Sequence, residues 1–209
     1  MSMRLARIQK EYDDVRNGFD THPFITVMPN GGSPPESYKI IYAINGVERI
    51  AQNRPVIRNR HEVELRFPVN YPRAAPVVTI NTPIFHPNFS KTHVCIGDHW
   101  AAQERVIHLI SRIGEMITYQ SYNPRSPLNA EAARWCETND GRGGLFPIDR
   151  RSMDPVEADA QAASHSESTP EIIFKDSKTT AERNQEGATR NLQDLDSLRI
   201  IFKPPPPPQ

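Results

Sequence analysis

Apolar side chains are concentrated in the first two thirds of this chain, and this distribution limits where a folded core can form. Of the 209 residues, positions 1–139 hold 57 hydrophobic residues and 13 of the 16 aromatic residues, whereas positions 140–209 hold 20 and three. A segment so poor in apolar residues cannot bury enough surface to offset the entropy lost on ordering it. The sequence therefore predicts one folded domain over 1–139 and a mostly disordered tail over 140–209.

The tail contains one feature that its composition does not explain. The sequence Ile-Ile-Phe-Lys occurs at 172–175 and again at 200–203, just before a run of five prolines at 204–208. The prolines favour polyproline II structure, whereas the two apolar strips are β-prone. The recurrence is either a coincidence or the mark of a strand that adds to a sheet edge, on this protein or on a partner.

The charge balance and the hydropathy argue against nucleic-acid and membrane partners. The chain has 25 Lys plus Arg and 25 Asp plus Glu, so it has no net charge to attract a polyanion. No apolar run approaches the roughly 20 residues that span a bilayer, and the first residues lack the apolar core of a secretory signal. The sequence therefore predicts a cytoplasmic protein that binds another protein or a small substrate.

Hydrophobic periodicity predicts an α+β domain. Apolar residues recur every three or four positions over 5–19 and over 106–117, which is typical of amphipathic helices. Asn129 predicts the N-cap of a short third helix over 130–137. An antiparallel meander is predicted from four apolar runs separated by Pro, Gly and Asn, at 24–28, 38–44, 63–67 and 77–80.

Two connections between these elements are informative. Asn45-Gly46 predicts a two-residue hairpin that joins the strand at 38–44 to a further strand at 47–50, because this dipeptide readily adopts positive φ. Residues 82–99 are polar and show no periodicity. Long irregular segments inside compact domains are usually functional, so this loop is the first place to look for a site.

The two cysteines, Cys95 and Cys136, are too few to stabilise the domain by disulfides, so we expect both as thiols. Cys136 lies on the apolar side of the third helix and is predicted to be a core residue. Cys95 lies in the irregular loop, where a nucleophile is favoured over a buried inert thiol. His93 and His99 are close to it in sequence, but no second Cys or His pair has ligand spacing, so neither a metal nor a cofactor is predicted.

Several short motifs occur together between residues 67 and 129. They are FPVNYPRAAP at 67–76, PIFHPN at 83–88, VCI at 94–96, Trp100 and NPRSPLN at 123–129. Together they resemble the ubiquitin-conjugating enzymes, over about residues 3–139. His-Pro-Asn nine residues before a single cysteine makes the set specific. The resemblance implies an N-terminal helix, a four-stranded antiparallel meander, a long active-site loop, a central helix packed on the sheet and a short C-terminal helix.

The resemblance also implies an activity. Cys95 would carry ubiquitin or a ubiquitin-like protein as a thioester, accept it from an activating enzyme and pass it to an amine such as a lysine of a target protein. A thiolate suits this task because it is a good nucleophile and a good leaving group. Asn88 matches an asparagine that stabilises the tetrahedral oxyanion, holds the loop that does so, or does both. His86 matches a histidine that is usually structural, with general-base catalysis as the alternative.

Ser126 and Asp98 complete the candidate catalytic set. Ser126 matches the family's serine or aspartate before Pro-Leu, where the incoming lysine passes. A serine can only hydrogen-bond the amine, which indicates weaker or phosphorylation-tunable activation, unless Ser126 merely caps the following turn. Asp98 is a candidate for the missing carboxylate, although it lies three residues after Cys95, whereas many relatives have an acidic residue two positions after the cysteine.

The resemblance implies two partner surfaces. Arg4, Arg7 and Lys10 decorate the outer face of the first helix, which contacts the activating enzyme in this family, with a solvated basic face as the alternative. In many relatives ligases bind a bulky apolar residue, which corresponds to Arg73 here. They also bind a Ser-Pro-Ala sequence that corresponds to the region of Ala101 and Ala102.

An arginine fits poorly in an apolar ligase groove, so the usual RING-type recognition is not predicted and the need for a ligase stays open. The departures at the ligase positions and the short spacing from His86 to Cys95 are typical of compact bacterial members of the family. Those members occur beside an activating enzyme, a ubiquitin-like protein and a deconjugating protease, some of them in antiphage operons.

Two other hypotheses remain open. One is a non-catalytic variant of the same fold that only binds a ubiquitin-like protein, although such variants typically lack the cysteine that stands here at Cys95. The other is an interaction scaffold in which the two tail strips and the prolines at 204–208 bind partners while the domain is inert.

Overall fold

A computed structural model of the chain describes residues 2–91, 93–96, 100–139 and 144–156. The predicted order of helix, strands, irregular loop and two helices is confirmed, and with it the α+β class. The two apolar strips of the tail lie outside the described residues. The elements are α1 Met3–Phe19, β1 Ile25–Asn30, β2 Ser37–Tyr42, β3 Gly46–Ala51, β4 Arg54–Arg58, β5 His61–Arg66, β6 Val77–Ile80, α2 Val106–Ile117 and α3 Ala130–Asn139.

The main sheet is an antiparallel meander in the order β1-β2-β5-β6. In β2 the residues Tyr38, Ile40 and Tyr42 are buried while Lys39 is exposed, which is the alternation of a strand with one covered face. Helices α1 and α2 contribute to the core on that face. The Tyr42 hydroxyl donates a buried hydrogen bond to the Ile110 carbonyl at 2.9 Å, so the sheet is also joined to α2 by a polar contact.

The hairpin predicted at Asn45-Gly46 is wrong. Strand β2 pairs with β5, and β3 pairs instead with β4 in a separate two-stranded sheet. The tight turn lies at Gln52 and Asn53, whose φ angles of 50° and 59° are those of a two-residue hairpin. Gly46 is needed for packing, because a Cβ there would lie 2.8 Å from Nε2 of His61. Asn45-Gly46 is therefore a corner between the two sheets.

The packed structure continues beyond residue 139, where composition placed the end of the domain. Residues 144–156, which we call the strap, lie along the domain in extended form. Met153 is 1 % exposed and packs on Gly114 of α2, where a Cβ would lie 2.9 Å from the Met153 sulfur. The Val156 N–H donates to the Gly18 carbonyl at 2.9 Å. A few apolar residues suffice because the strap joins an existing core.

A buried carboxylate connects α1 to the start of α2. Glu11 accepts hydrogen bonds from Nε of Arg7 at 2.6 Å, from the Tyr71 hydroxyl at 2.9 Å and from the Val106 N–H at 2.9 Å. Val106 is the first residue of α2, and the N-cap residue Arg105 makes no side-chain cap bond. Free N–H groups at a helix N-terminus attract negative charge, so Glu11 caps α2 from a different helix.

Replacing Glu11 with alanine is expected to lower the free energy of unfolding by roughly 3–5 kcal/mol, because the buried partners of the carboxylate lose their anion. Urea denaturation monitored by circular dichroism measures the change. Asp13 is exposed on the same helix, and Asp13→Ala is expected to change stability by less than about 0.5 kcal/mol. Equal effects of the two substitutions would contradict the capping role.

Candidate active site

The irregular loop after β6 folds back on itself and brings Cys95 against Asn88. Phe89 and Val94 form an isolated antiparallel bridge, so the chain reverses direction between them. The Cys95 N–H then donates to the Asn88 carbonyl at 2.9 Å. Cys95 is partly exposed. The structure thus brings together the two residues that the sequence motifs single out.

The Asn88 side chain ties this loop to the segment between α2 and α3, residues 118–129, which we call the gate loop. Oδ1 of Asn88 accepts the Asn123 N–H at 2.7 Å, and Nδ2 donates to the Asn123 carbonyl at 2.8 Å. Asn88 is only 4 % exposed whereas Asn123 is exposed, so the reciprocal pair is shielded from water on the Asn88 side. The second Nδ2 hydrogen makes no hydrogen bond with any described residue. The Asn88 amide therefore holds the gate loop, and its second Nδ2 hydrogen is not used in doing so.

The backbone of Pro87 provides a second connection. Its carbonyl accepts the N–H groups of Leu128 at 2.8 Å and Asn129 at 3.0 Å. Oδ1 of Asn129 in turn accepts the N–H groups of Glu131 and Ala132, both at 3.1 Å. The predicted N-cap of α3 is confirmed, and the helix start is fixed to the His-Pro-Asn segment.

Ser126 lies in the part of the gate loop between the contacts made by Asn123 and Leu128. It is exposed, and its hydroxyl makes no hydrogen bond with a described residue. Asn129, not Ser126, caps α3. Of the two alternatives for Ser126, the geometry therefore favours a hydroxyl that is free to meet an incoming group.

His86 is fully buried beneath this arrangement. Its Nδ1 accepts the Asn88 N–H at 3.1 Å, and its ring packs edge-on against Phe89 and Tyr119 at centroid distances of 4.9 and 4.6 Å. Burial lowers the pKa of His86 to about 3, which the nearby Ser121 backbone opposes only in part. A neutral, buried ring that bonds the loop backbone fits the structural role better than general-base catalysis.

A second apolar cluster supports the site from below. Its buried members are Val47, Tyr119 and Cys136, so the prediction of Cys136 as a core residue is confirmed. The Tyr119 hydroxyl donates to the carbonyl of Phe85, the residue before His86. Phe146 of the strap also packs in this cluster. The strands, α3 and the strap thus meet under the His-Pro-Asn segment.

An open groove of about 730 Å³ lies beside the turn between Phe89 and Val94. Lys91 is exposed at this turn, whereas the carboxylate of Glu48 is already paired with Arg49 and Arg58. A groove with apolar and polar walls can accept an extended polypeptide. Its apolar lining residues are Ile80, Pro83, Ile84, Phe89, Leu128 and Ala130.

The three basic residues predicted to form one outer face of α1 are not equivalent. Arg7 bonds the buried Glu11 at 2.6 Å, so its guanidinium serves the fold. Arg4 pairs with Glu36 at 2.9 Å at the surface, and Lys10 keeps 63 % of its side chain exposed. Arg4 and Arg7 are therefore both largely covered and paired with a carboxylate, whereas Lys10 remains as an exposed surface cation.

The two predicted ligase positions are brought to one region of the surface. Trp100 donates its indole N–H to the Pro72 carbonyl at 2.7 Å, which connects the loop containing Arg73 to the loop that follows the tryptophan. Arg73 and Ala102 are exposed and Ala101 is partly exposed. Asp98, the candidate carboxylate, lies outside the described residues.

Within the described part of the chain, no set of three His, Cys, Asp or Glu residues is arranged to hold a metal ion. The helices described there are all too short or too polar to cross a bilayer.

Sequence reasoning missed Glu11, Tyr119 and Phe146. Glu11 acts through hydrogen bonds, and Tyr119 through a hydrogen bond and ring contacts. Their residue types alone do not reveal these contacts. The apolar residues at 145–148, directly after Gly143 and Gly144, were a usable signal for the strap, because they interrupt the polar composition of the tail.

A family model described as "Ubiquitin-conjugating enzyme" matches residues 7–142. The chain is 26 % identical over 143 residues to "Ubiquitin-conjugating enzyme E2 pex4" of Dictyostelium discoideum, which covers 66 % of this chain and 89 % of that protein. It is 33 % identical over 82 residues to "Ubiquitin-conjugating enzyme E2-20 kDa" of Schizosaccharomyces pombe, covering 35 % and 43 %. It is 30 % identical over 95 residues to "Ubiquitin-conjugating enzyme E2 N" of Macaca fascicularis, covering 44 % and 61 %. The matches thus span less than two thirds of the last two relatives.

The buried histidines are expected to make stability pH-dependent. The pKa of His86 is about 3 in the folded chain, against an ordinary value of 6.5, so between these values the unfolded chain binds more protons. The free energy of unfolding therefore falls as the pH is lowered through this window. His61, whose pKa burial lowers to about 4, acts in the same direction. Each histidine contributes a slope of up to about 1.4 kcal/mol per pH unit.

Urea unfolding between pH 7 and pH 4 tests this expectation. His86→Asn removes the titrating ring, while the Oδ1 of the new asparagine can still accept the Asn88 N–H. The slope of the unfolding free energy against pH is expected to fall by the equivalent of nearly one bound proton. His108→Asn, at an exposed position, is the matched control for the His-to-Asn substitution itself. A His86→Asn slope equal to that of the wild type would contradict the assignment.

Proposed function

Because the chain belongs to the ubiquitin-conjugating enzyme family, we propose that it carries ubiquitin or a ubiquitin-like protein as a thioester on Cys95 and transfers it to an amine of a target protein. The observation that carries this proposal is the position of Cys95, partly exposed and bonded through its N–H to the Asn88 carbonyl at 2.9 Å. The Asn88 amide is held by Asn123. The backbone of a partly exposed cysteine thus adjoins a residue whose side-chain amide is fixed.

The proposed reaction has two acyl transfers at one sulfur. In the first, the Cys95 thiolate attacks the acyl carbon presented by the activating enzyme, a C–S bond forms, and the previous carrier leaves. In the second, the lysine nitrogen attacks the thioester carbon, a C–N bond forms, and the Cys95 thiolate leaves. The nitrogen loses a proton to water or to a base. Both steps pass through a tetrahedral oxyanion, and in the second step a nearby N–H of this chain can stabilise it.

The polar residues around Cys95 divide these tasks. Asn88 holds the gate loop with both ends of its amide and keeps one Nδ2 hydrogen for an oxyanion. His86 is a structural residue in this proposal, because its neutral, buried ring bonds the Asn88 N–H. Ser126 lies free on the gate loop and hydrogen-bonds the incoming amine. Asp98 is the candidate for an additional carboxylate.

The proposed partners follow from the surface. The activating enzyme binds the exposed face of α1, where Lys10 is an exposed cation and Arg4 is partly exposed and paired with Glu36. Arg73 is exposed where an apolar ligase contact would be expected, which supports transfer that does not depend on a RING-type ligase. We propose that these partners meet in the cytoplasm, and that the chain is of the compact bacterial type.

The thioester is tested by intact-mass spectrometry of the purified chain incubated with ATP and lysate of its source organism. The wild type is expected to gain the mass of one small protein, which a thiol reductant removes. In Cys95→Ser the adduct is an oxygen ester and resists the reductant. In Cys95→Ala the adduct is absent. Identification of the added mass also names the cargo.

Cys136→Ala is the matched control, because Cys136 is the other thiol of the chain and is fully buried. It is expected to keep the adduct. Absence of an adduct on the wild type, with binding to a ubiquitin-like protein retained, would favour the non-catalytic variant. A harmless Cys95→Ala, together with loss of function on deletion of the tail, would favour the interaction scaffold.

Ser126→Asp is expected to accelerate discharge of the loaded chain to free lysine by roughly tenfold, because a carboxylate accepts the proton of the amine whereas a hydroxyl only hydrogen-bonds it. Single-turnover discharge, followed by non-reducing electrophoresis, measures the rate. Ser126→Ala is expected to slow discharge by a few-fold at most. An unchanged or lower rate for Ser126→Asp would place the incoming amine elsewhere.

A further inference from the structure

The strap is anchored along the first part of the gate loop. The Ile148 N–H donates to the Thr118 carbonyl at 2.8 Å. Nε2 of Gln120 donates to the carbonyls of Asp149 at 3.0 Å and Arg151 at 2.8 Å. Three hydrogen bonds thus fix the strap to the residues that directly follow α2.

Phe146 makes the aromatic part of this contact. Its ring lies parallel to that of Tyr119, at a centroid distance of 4.9 Å and an angle of 10°. It also contacts Tyr122 at 5.5 Å and the edge of Trp135 in α3 at 5.2 Å. Tyr122 directly precedes Asn123. The Phe146 ring therefore contacts both Tyr119 and Tyr122, the two ends of the segment that leads to Asn123.

Tyr119 depends on such support. Its φ angle of 60° lies in the left-handed region, which a bulky L-residue adopts only when surrounding contacts hold it there. Its hydroxyl bonds the Phe85 carbonyl and its ring edge meets His86. Without Phe146 the parallel face of Tyr119 loses its contact, and the backbone that leads to Asn123 is freer to relax.

We propose that Phe146 is a positioning residue for transfer to the amine, acting through Tyr119 and Tyr122 on the gate loop. This inference rests on the proposed function. Nucleophilic attack by a lysine requires that Asn123 hold Asn88 and that Ser126 be in place beside the thioester. Loading of Cys95 requires an accessible thiolate and a docked activating enzyme, but no amine oriented by the gate loop.

The test compares loading and discharge in single-turnover experiments on the full chain. Phe146→Ala is expected to load Cys95 at a rate within about twofold of the wild type and to discharge to free lysine roughly ten- to a hundredfold more slowly, as small misplacements of catalytic groups do. If Phe146 only stabilised the fold, Phe146→Ala would lower the rates of loading and discharge by the same factor, because less of the chain would be folded. The ratio of the two rates is therefore the measurement. Phe146→Tyr keeps the ring and is expected to restore the wild-type ratio.

Met153→Ala is the matched control within the strap. Met153 belongs to the main core and packs on α2, whereas Phe146 belongs to the cluster beneath the site. Met153→Ala is expected to lower the urea midpoint of unfolding, because a buried side chain is truncated, and to keep the wild-type rate ratio. Phe146→Leu keeps most of the apolar volume without the ring and carries the test if Phe146→Ala does not fold.

Two results would overturn the inference alone: a folded Phe146→Ala or Phe146→Leu that discharges as fast as the wild type, or a Met153→Ala that lowers the ratio as much as Phe146→Ala does. Failure of the wild type to load Cys95 at all would overturn the proposed function and this inference with it.

Discussion

The reciprocal hydrogen bonds between the Asn88 amide and the backbone of Asn123 are the constraint on which the candidate site depends. They join two segments that have no regular secondary structure, so no ladder of backbone bonds fixes either segment to the other. The neighbouring contacts reinforce this pair: the Asn88 N–H is held by His86, the Asn88 carbonyl holds Cys95, and the Pro87 carbonyl holds the start of α3. Because these bonds connect Cys95, Asn88, His86 and Asn123 in one set, the position of Cys95 is determined by the loop as a whole.

Two apolar clusters support this loop at different depths. The main core packs α1 and α2 on the sheet, and Glu11 fixes the start of α2 from α1. The second cluster, with Tyr119 at its centre, lies directly under the His-Pro-Asn segment. The strap contributes to both clusters, since Met153 is in the first and Phe146 is in the second, and so does the active-site loop, through Phe89 and Phe85. Met153 packs on α2 and Phe146 packs on the gate loop, so the strap makes two separate contacts with the domain.

Periodicity was enough to predict the helices, the meander and the Asn129 cap, because these features follow from local spacing and local capping. The Asn45-Gly46 hairpin failed because a dipeptide reports only which φ angles are accessible, whereas the choice of strand partner is made by tertiary packing: β2 pairs with β5, and the turn moves to Gln52 and Asn53. The strap was missed because composition averaged over the tail hides a few apolar residues that join a core built elsewhere. The role of Asn123 was invisible because Asn88 binds its backbone, which carries no sequence signal.

The division of tasks around Cys95 has a consequence for the proposed chemistry. His86 and the larger part of the Asn88 amide are used to hold the loop, whereas the exposed hydroxyl of Ser126 on the gate loop makes no hydrogen bond with a described residue. A hydroxyl is a poor proton acceptor, so the site by itself does little to deprotonate an incoming amine. In the proposed reaction, the absence of a base there would both protect the thioester from indiscriminate attack and slow its transfer. In the proposed reaction, the rate of transfer to the amine then depends on the contacts that position the gate loop. The contact between Phe146 and Tyr119 is proposed to be one of them.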